Sequence, residues 1–332
     1  MKNNVKDIDS SIYHNVEDLF QVVGTSEEEI EKLHSAPYSY WRETIKQLFK
    51  KPLVIICLVM IALIVLFAII GPFFSKNCWE FDENGRLSLL EFDSNLGWSK
   101  DHLFGTGAIQ GFYGKKDLWT SVWFGTRRSL LLGTVVALID TVLGIIVGSI
   151  WGYFRKIDPI MIEFRNFVDN IPALLFYFLL SQFFVTPTFW SIVFILCLFG
   201  WLGLAGFIRN QIIIIRNREY NVASLTLGSK PHAMILHNLL PYLVSVIVTV
   251  VSTAIPAAIS SEVGLAFFNL SFQPTKGDIT LGQLLTEITQ YGEWFDNLNL
   301  LIVPLIVMIP LTISFFYIGL ALADATDPKN HR

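Results

Sequence analysis

Two acidic side chains sit in stretches where acids are costly. Asp140 lies midway along "SLLLGTVVALIDTVLGIIVGSIW", and Glu262 closes the apolar run that begins at Pro241. A carboxylate at the centre of a membrane-crossing helix costs about 2.5–3.5 kcal/mol on insertion scales, so it faces protein or water rather than lipid. Asp140 is therefore either a pathway or pore-interface residue or one half of a helix–helix hydrogen bond to Ser or Thr. A proton-coupled role finds little support, because no basic partner accompanies it. Glu262 either caps the outer mouth of a pathway or marks a helix end at the interface.

A third stretch has polar chemistry between two apolar runs: "EYNVASLTLGSKPHAMILHNLLP", Glu219 to Pro241. Residues 219–227 suit a short helix, and Gly228 can adopt positive φ and stop it. Pro231 suits the first turn of a second short helix, and Pro241 leads back into the apolar phase. Ala223 and Ser224 are small, so another surface can approach closely there. The bland alternative is an amphipathic loop lying on headgroups.

Several chemistries are excluded. No GxxxxGK[ST] loop is present, so ATP is not bound through a P-loop. No Ser/His/Asp grouping, HExxH or pair of intramembrane carboxylates argues for an enzyme. The three cysteines and six histidines show no zinc spacing, so no metal site is expected. Cys57 and Cys197 lie in apolar runs and only Cys78 is placed to meet an oxidising compartment, so no disulfide is expected. The net charge of −4 argues against nucleic acid as a partner.

The elements that must position these residues are membrane helices. The chain is 53% hydrophobic and only 16% charged, against about a quarter charged in an ordinary soluble domain. A spanning helix needs about 20 mostly apolar residues. Six segments qualify: 53–74, 130–151, 171–185, 189–208, 241–261 and 298–323, the third being short with Pro172 at its start. Lys and Arg set the orientation. Arg155, Lys156 and Arg165 fall in one short loop and Arg209, Arg216, Arg218 and Lys230 in the next on the same side. The turn around Thr186-Pro187-Thr188 has none. This places both termini in the cytoplasm. Arg127 and Arg128 fall on the unexpected side, where they snorkel to headgroups or begin the second helix outside the membrane.

The resulting organisation is a cytoplasmic N-terminal extension (1–50), a first crossing (51–74), a long outer loop (75–129), a five-helix core (130–323) containing the polar segment 217–241, and a short cytoplasmic tail (324–332). Ser26 to Glu29 resembles a capping box, and Tyr38, Tyr40, Trp41, Lys46, Lys50 and Lys51 read as an interfacial belt. The apolar run comes too late for a cleavable signal. Gly144, Gly148 and Gly152 form a small-residue stripe that permits close helix packing.

The Glu219–Pro241 segment resembles the cytoplasmic loop of importer-type ABC transporter permeases, EAA, three residues, Gly, nine residues, Ile-x-Leu-Pro. The matching letters are Val222-Ala223-Ser224, Gly228 and Asn238-Leu239-Leu240-Pro241, with the Gly228-to-Pro241 spacing kept. Val222, Ser224 and Asn238 depart from the pattern, and Glu219 is the nearby acid. "LFGTG", "DLWTSVWFGTRRSLLLG", "GYF", "NIPALL", "RNQIIIIRNREY", "SSEVGLAFFNL" and "DATDP" are similar to the second permease of the dipeptide/oligopeptide/nickel importers. "APYSYW" followed by "FKK" resembles the oligopeptide branch of Gram-positive bacteria.

The resemblance implies an all-α polytopic membrane protein with the type I importer permease fold, in a bacterial cell membrane among its lipids. It implies a sibling permease, two cytoplasmic ATPases that bind ATP and Mg, and an extracellular substrate-binding lipoprotein that delivers peptide. This chain itself would bind no cofactor. Glu219, Tyr220, Val222, Ala223, Ser224, Leu227, Gly228 and Pro241 would form the ATPase-coupling loop, and Asp140 and Glu262 the pathway or pore interface. The long outer loop would dock the binding protein or cap the sibling. The competing reading is a self-contained secondary transporter or channel using Asp140. Six spans without a visible repeat are few for one.

Overall fold

The computed structural model describes residues 40–75, 78–81, 87–90, 102–108, 115–184, 187–272, 279–291, 293–295 and 297–326. The chain divides into two units, residues 1–43 and 44–332. Of the first, the described part is the opening of α1 (Tyr40–Lys50). The membrane helices all belong to the second. The capping box at Ser26–Glu29, Tyr38 and residues 327–332 lie outside the described residues.

Among the described residues, five helices are long and apolar enough to cross a membrane: Pro52–Phe74, Leu118–Tyr153, Phe189–Arg216, Val250–Phe267 and Leu298–Thr326. The first consists of α2 (Pro52–Ile70) and a 3₁₀ turn, Gly71–Phe74. Two short antiparallel hairpins follow, β1 (Trp79–Phe81) with β2 (Leu87–Leu89) and β3 (Thr106–Ala108) with β4 (Lys115–Asp117). β4 runs directly into α3 (Leu118–Tyr153). Asp117 caps it, its carboxylate accepting from the Thr120 amide at 2.9 Å. That cap is why α3 begins at Leu118 rather than near Leu130. With 36 residues, α3 rises about 54 Å, well beyond the hydrocarbon core.

Arg127 therefore lies within a helix, not in a loop. Its guanidinium donates to the Ala68 carbonyl at 2.9 and 3.0 Å and to Ile69 at 3.3 Å. These carbonyls belong to the last turn of α2, which has no partners of its own. Arg128 stacks on the Phe189 ring at 4.1 Å.

The third expected crossing differs most. Within 171–185 the helix is only the nine-residue α5 (Ala173–Ser181), and an amphipathic α4 (Asp158–Asp169) precedes it outside that range. Pro172 separates them, since the residue before a proline is driven out of the α region. α5 alone rises about 14 Å, half a bilayer core. The chain nevertheless recrosses the bundle here. α3 and α6 (Phe189–Arg216) run parallel: Arg128 meets Phe189, Asp140 meets Gly200, and Gly152 meets Arg209 and Ile212. The link between them must return to the starting end, and α4 and α5 do so in series.

The glycine stripe is where α3 and α6 approach. A Cβ at Gly148 would fall 2.6 Å from the Ala205 carbonyl oxygen, and one at Gly152 would fall 2.9 Å from Ile212. Backbone this close leaves no room for a side chain.

After α6 come α7 (Glu219–Thr226), a short α8 (Pro231–Ala233), a π-helical turn (Met234–Leu239), α9 (Leu240–Ser252) and α10 (Ala254–Phe267). Pro256 explains the break between α9 and α10. It has no amide to donate to the Ser252 carbonyl, and its ring crowds that carbonyl. α11 (Leu281–Tyr291) packs at the other end, and α12 (Leu298–Thr326) recrosses. Lys51 and Asp324 pair at 2.8 Å, so α2 starts where α12 ends. Many large apolar side chains on α2 and α12 face outward, among them Ile56, Ile69, Ile306 and Ile313. Such a surface suits lipid or a partner, not water.

Candidate functional site

The polar segment is mounted at the end of the bundle where α3, α6 and α12 finish. α7 ends in a Schellman motif. Gly228, at φ 88°, donates to the Leu225 carbonyl at 3.0 Å, and Ser229 donates to Ser224 at 3.2 Å. These two bonds satisfy carbonyls that the helix end would leave open. The Ser224 and Ser229 hydroxyls add a third tie at 2.8 Å. A Cβ on Gly228 would meet nothing within 4 Å, so the backbone angle alone calls for glycine.

The second half departs from two separate short helices. Pro231 starts a helical run that continues through the π turn into α9 without a stop. Pro241 has no amide to bond the His237 carbonyl, and the wider turn just before it takes up the register. The expected end at Pro241 is thus a continuation, and the loop joins a membrane helix directly.

Asn221 fastens the mount. It is fully buried, donates to the Ile215 carbonyl at 2.9 Å and accepts from Asn238 at 3.4 Å. Arg218 stacks on Tyr242 of α9 at 4.9 Å. Beneath lie Ile208, Ile212, Ile215, Met234, Leu239 and Leu243, all buried together. Outward, Glu219, Tyr220, Val222, Ala223 and Pro241 are exposed and Ser224 is half-buried. Leu227 is 87% exposed. The segment therefore offers apolar side chains outward from a buried, hydrogen-bonded base.

Asp140 lines a cavity of about 350 Å³. Val136 and Thr141 of α3, Tyr177 of α5, Gly200 of α6, and Val250 and Thr253 at the α9–α10 break also line it. The carboxyl packs against Gly200, where any Cβ would collide with it. Asp140 Oδ1 and Thr141 Oγ1 are buried with no hydrogen-bond partner among the described residues. Glu262 is not at this cavity. It is fully buried beneath α11, with Oε1 accepting from Thr280 at 2.6 Å and from Ser271 at 3.5 Å. Gln283 closes the network, accepting from the Thr280 amide and donating to Ser271 and the Phe272 carbonyl.

Residues 141–330 match the family model described as binding-protein-dependent transport system inner membrane component. Residues 39–85 match the N-terminal transmembrane domain of oligopeptide transport permease C. The oligopeptide transport system permease protein AmiD of Streptococcus pneumoniae is 35% identical, covering 94% of this chain and 97% of its own length.

The chain belongs to this family of transport permeases.

Two relatives in Bacillus subtilis agree. The dipeptide permease protein DppC is 33% identical over 89% of this chain and 87% of its own, and the oligopeptide permease protein OppC is 28% identical over 94% and 97%. The permease match contains the whole Glu219–Pro241 segment and Glu262, and it starts one residue after Asp140.

Two features of this permease escaped the sequence reading. Arg209, expected as a simple charge anchor, grips Asp158 through both nitrogens at 2.7 and 2.6 Å, while Trp151 donates to the same carboxylate at 2.8 Å. The Arg209 hydrogen bonds, outweighing partial burial, hold the Asp158 carboxyl below its ordinary range. Arg216 donates to the Gly152 and Tyr153 carbonyls at 2.9 and 2.8 Å, capping α3. Arg209 and Arg216 are two turns apart on one face of an apolar helix, the signal that could have placed them together. Asn221 carried no signal beyond its position inside the loop.

Proposed function

We propose that this chain is one of two membrane halves of an ATP-driven importer of oligopeptides, coupled to cytoplasmic ATPases through the Glu219–Pro241 segment. The observation that carries this is the pairing of an outward apolar face, Tyr220, Val222 and Leu227, with the buried Asn221 anchor beneath it. A loop lying passively on headgroups has no need of that anchor. A loop that receives force from a partner does.

On this reading the loop end of the bundle faces the cytoplasm, and so do both ends of the chain. The other end, with the hairpins, faces outside and meets a substrate-binding lipoprotein. ATP and Mg would be held by the ATPase partners, which supply the energy. This chain's part is mechanical. Displacement of α7 would pass through Asn221 to α6 and through Arg218 and Asn238 to α9. α9 would pivot at Thr253, which borders the Asp140 cavity. The two states need differ by only a few kcal/mol for such a device to switch. Oligopeptide as substrate rests on the relatives' names and on the match at residues 39–85.

The test is recovery of the chain from its native membrane in a gentle detergent, with its companions identified. A second permease and P-loop ATPases in comparable amounts are expected. A stable, folded chain recovered alone would overturn the reading and favour a self-contained carrier built on Asp140.

A further inference from the structure

Three side chains from separate segments converge at the start of α3. Cys78 Sγ lies 3.5 Å from His102 Nδ1, and the same nitrogen lies 3.1 Å from Asp117 Oδ1. The three ligand-type atoms all fall within 4.8 Å of one another. Cys78 and Asp117 are fully buried, and His102 is 8% exposed. We propose that Cys78, His102 and Asp117 form a transition-metal site, with zinc the ion their ligand types suit best.

The geometry favours an ion over a simple hydrogen-bonded chain. A thiol and a carboxylate approach one ring nitrogen, which offers either one proton or one lone pair. A proton there would be shared between two acceptors, and a lone pair there would face the lone pairs of Asp117. A cation between them uses all three. Zinc bonds of about 2.3 Å to sulfur and about 2.0–2.1 Å to nitrogen give a tetrahedral S–N edge of about 3.5 Å, and an N–O edge of about 3.3 Å. The observed separations are close to both.

Charge points the same way. Thiolate and carboxylate together carry two negative charges, which a divalent ion neutralises, and a buried site is tolerable only when its charges are compensated. Binding would release the Cys78 proton to solvent. The ligands are also held in advance. Cys78 bonds through its backbone to Ser75 and Leu90. The other Asp117 oxygen accepts from the Thr120 amide and hydroxyl at 2.9 and 2.6 Å, which turns Oδ1 toward the histidine. Three protein ligands leave a fourth position for water. The site would fasten the β1–β2 hairpin to the α3 start. It was invisible as a spacing because its ligands stand 24 and 15 positions apart.

The test uses the full-length chain in mild detergent, stripped with chelator and reloaded with zinc, then with cobalt. The wild type should hold about one zinc per chain, and its cobalt form should show a near-ultraviolet thiolate-to-metal band. Cys78→Ser and His102→Gln should lose at least nine-tenths of the bound zinc, and Cys78→Ser should lose the band. Cys57→Ser and Cys197→Ser should keep both. Reloaded wild type holding less than a tenth of an equivalent of zinc, or no band with cobalt, overturns the proposal without recourse to any variant. Full zinc occupancy in Cys78→Ser overturns it equally.

Discussion

Asp140 and Glu262 are the same kind of group in the same kind of segment, and their surroundings differ. Glu262 is sealed under α11 and bonded to Thr280 and Ser271, with Gly282 packed against its second oxygen. Asp140 borders open volume beside the α9–α10 break, and each acid leaves one buried oxygen without a hydrogen-bond partner among the described residues, Oδ1 of Asp140 and Oε2 of Glu262. An acid bonded to side chains of neighbouring segments holds them together, and one at a cavity wall is available to whatever enters. A transporter needs both: parts that stay joined while it moves, and a wall that changes. The comparison assigns Glu262 to the first and, on the proposed function, Asp140 to the second.

The comparison can be broken most sharply at Glu262. Glu262→Ala leaves the buried Thr280 hydroxyl proton without its acceptor, although the Gln283 amide still donates to that oxygen, and an unsatisfied buried donor costs about 1–3 kcal/mol. Thermal unfolding in detergent should fall by several degrees, with α11 protections lost in hydrogen exchange. Asp140→Asn should leave the unfolding midpoint near wild type while lowering peptide uptake. Equal destabilisation by the two changes would erase the distinction.

Next in size is Gly228→Val. A β-branched residue at φ 88° bears about 1–2 kcal/mol of left-handed strain or more, confined to the exposed turn. Membrane insertion should be normal, with ATPase association and uptake lost. Unimpaired uptake would count against the coupling role. Pro256→Ala sharpens the account of motion. It allows the missing helix bond to Ser252 and should stiffen the α9–α10 joint, leaving assembly intact and slowing uptake several-fold.

The smallest expected effect concerns Asp158. Its pKa is lowered in the folded chain by Arg209. Its contribution to stability is therefore full above the ordinary aspartate range and is lost as pH falls through the lowered value. Unfolding midpoints measured across acidic pH should decline in that window, and Asp158→Asn should flatten the decline. A variant with an unchanged acid slope would show that the pair contributes nothing to it.

Much of this was legible in the sequence, for reasons the individual residues show. Long apolar runs announced α2, α3, α6 and α12, and Gly228 announced its turn because few residues tolerate that φ. The glycine stripe of α3 announced its close packing. What was hidden depended on distant partners. α3 starts early because of a cap at Asp117, and Arg127 is at home there because α2 ends beside it. The third crossing is made with help from α4, an amphipathic helix whose mixed composition did not mark it as part of a span. α9 ignores Pro241 because a π turn absorbs the fault, a choice local propensity does not reveal. Glu262 left a mouth residue and a helix end equally open because Thr280 and Gln283 lie far along the chain.

The most direct test of the central claim is a cross-link at Leu227. Cys57, Cys78 and Cys197 are buried, so Leu227→Cys, with Leu103→Cys at the opposite end as control, gives a single accessible thiol in each variant. In native membranes, the Leu227 thiol should cross-link to a P-loop ATPase and the Leu103 thiol should not. Leu227→Cys that transports peptide normally yet forms no cross-link to any ATPase would contradict the account.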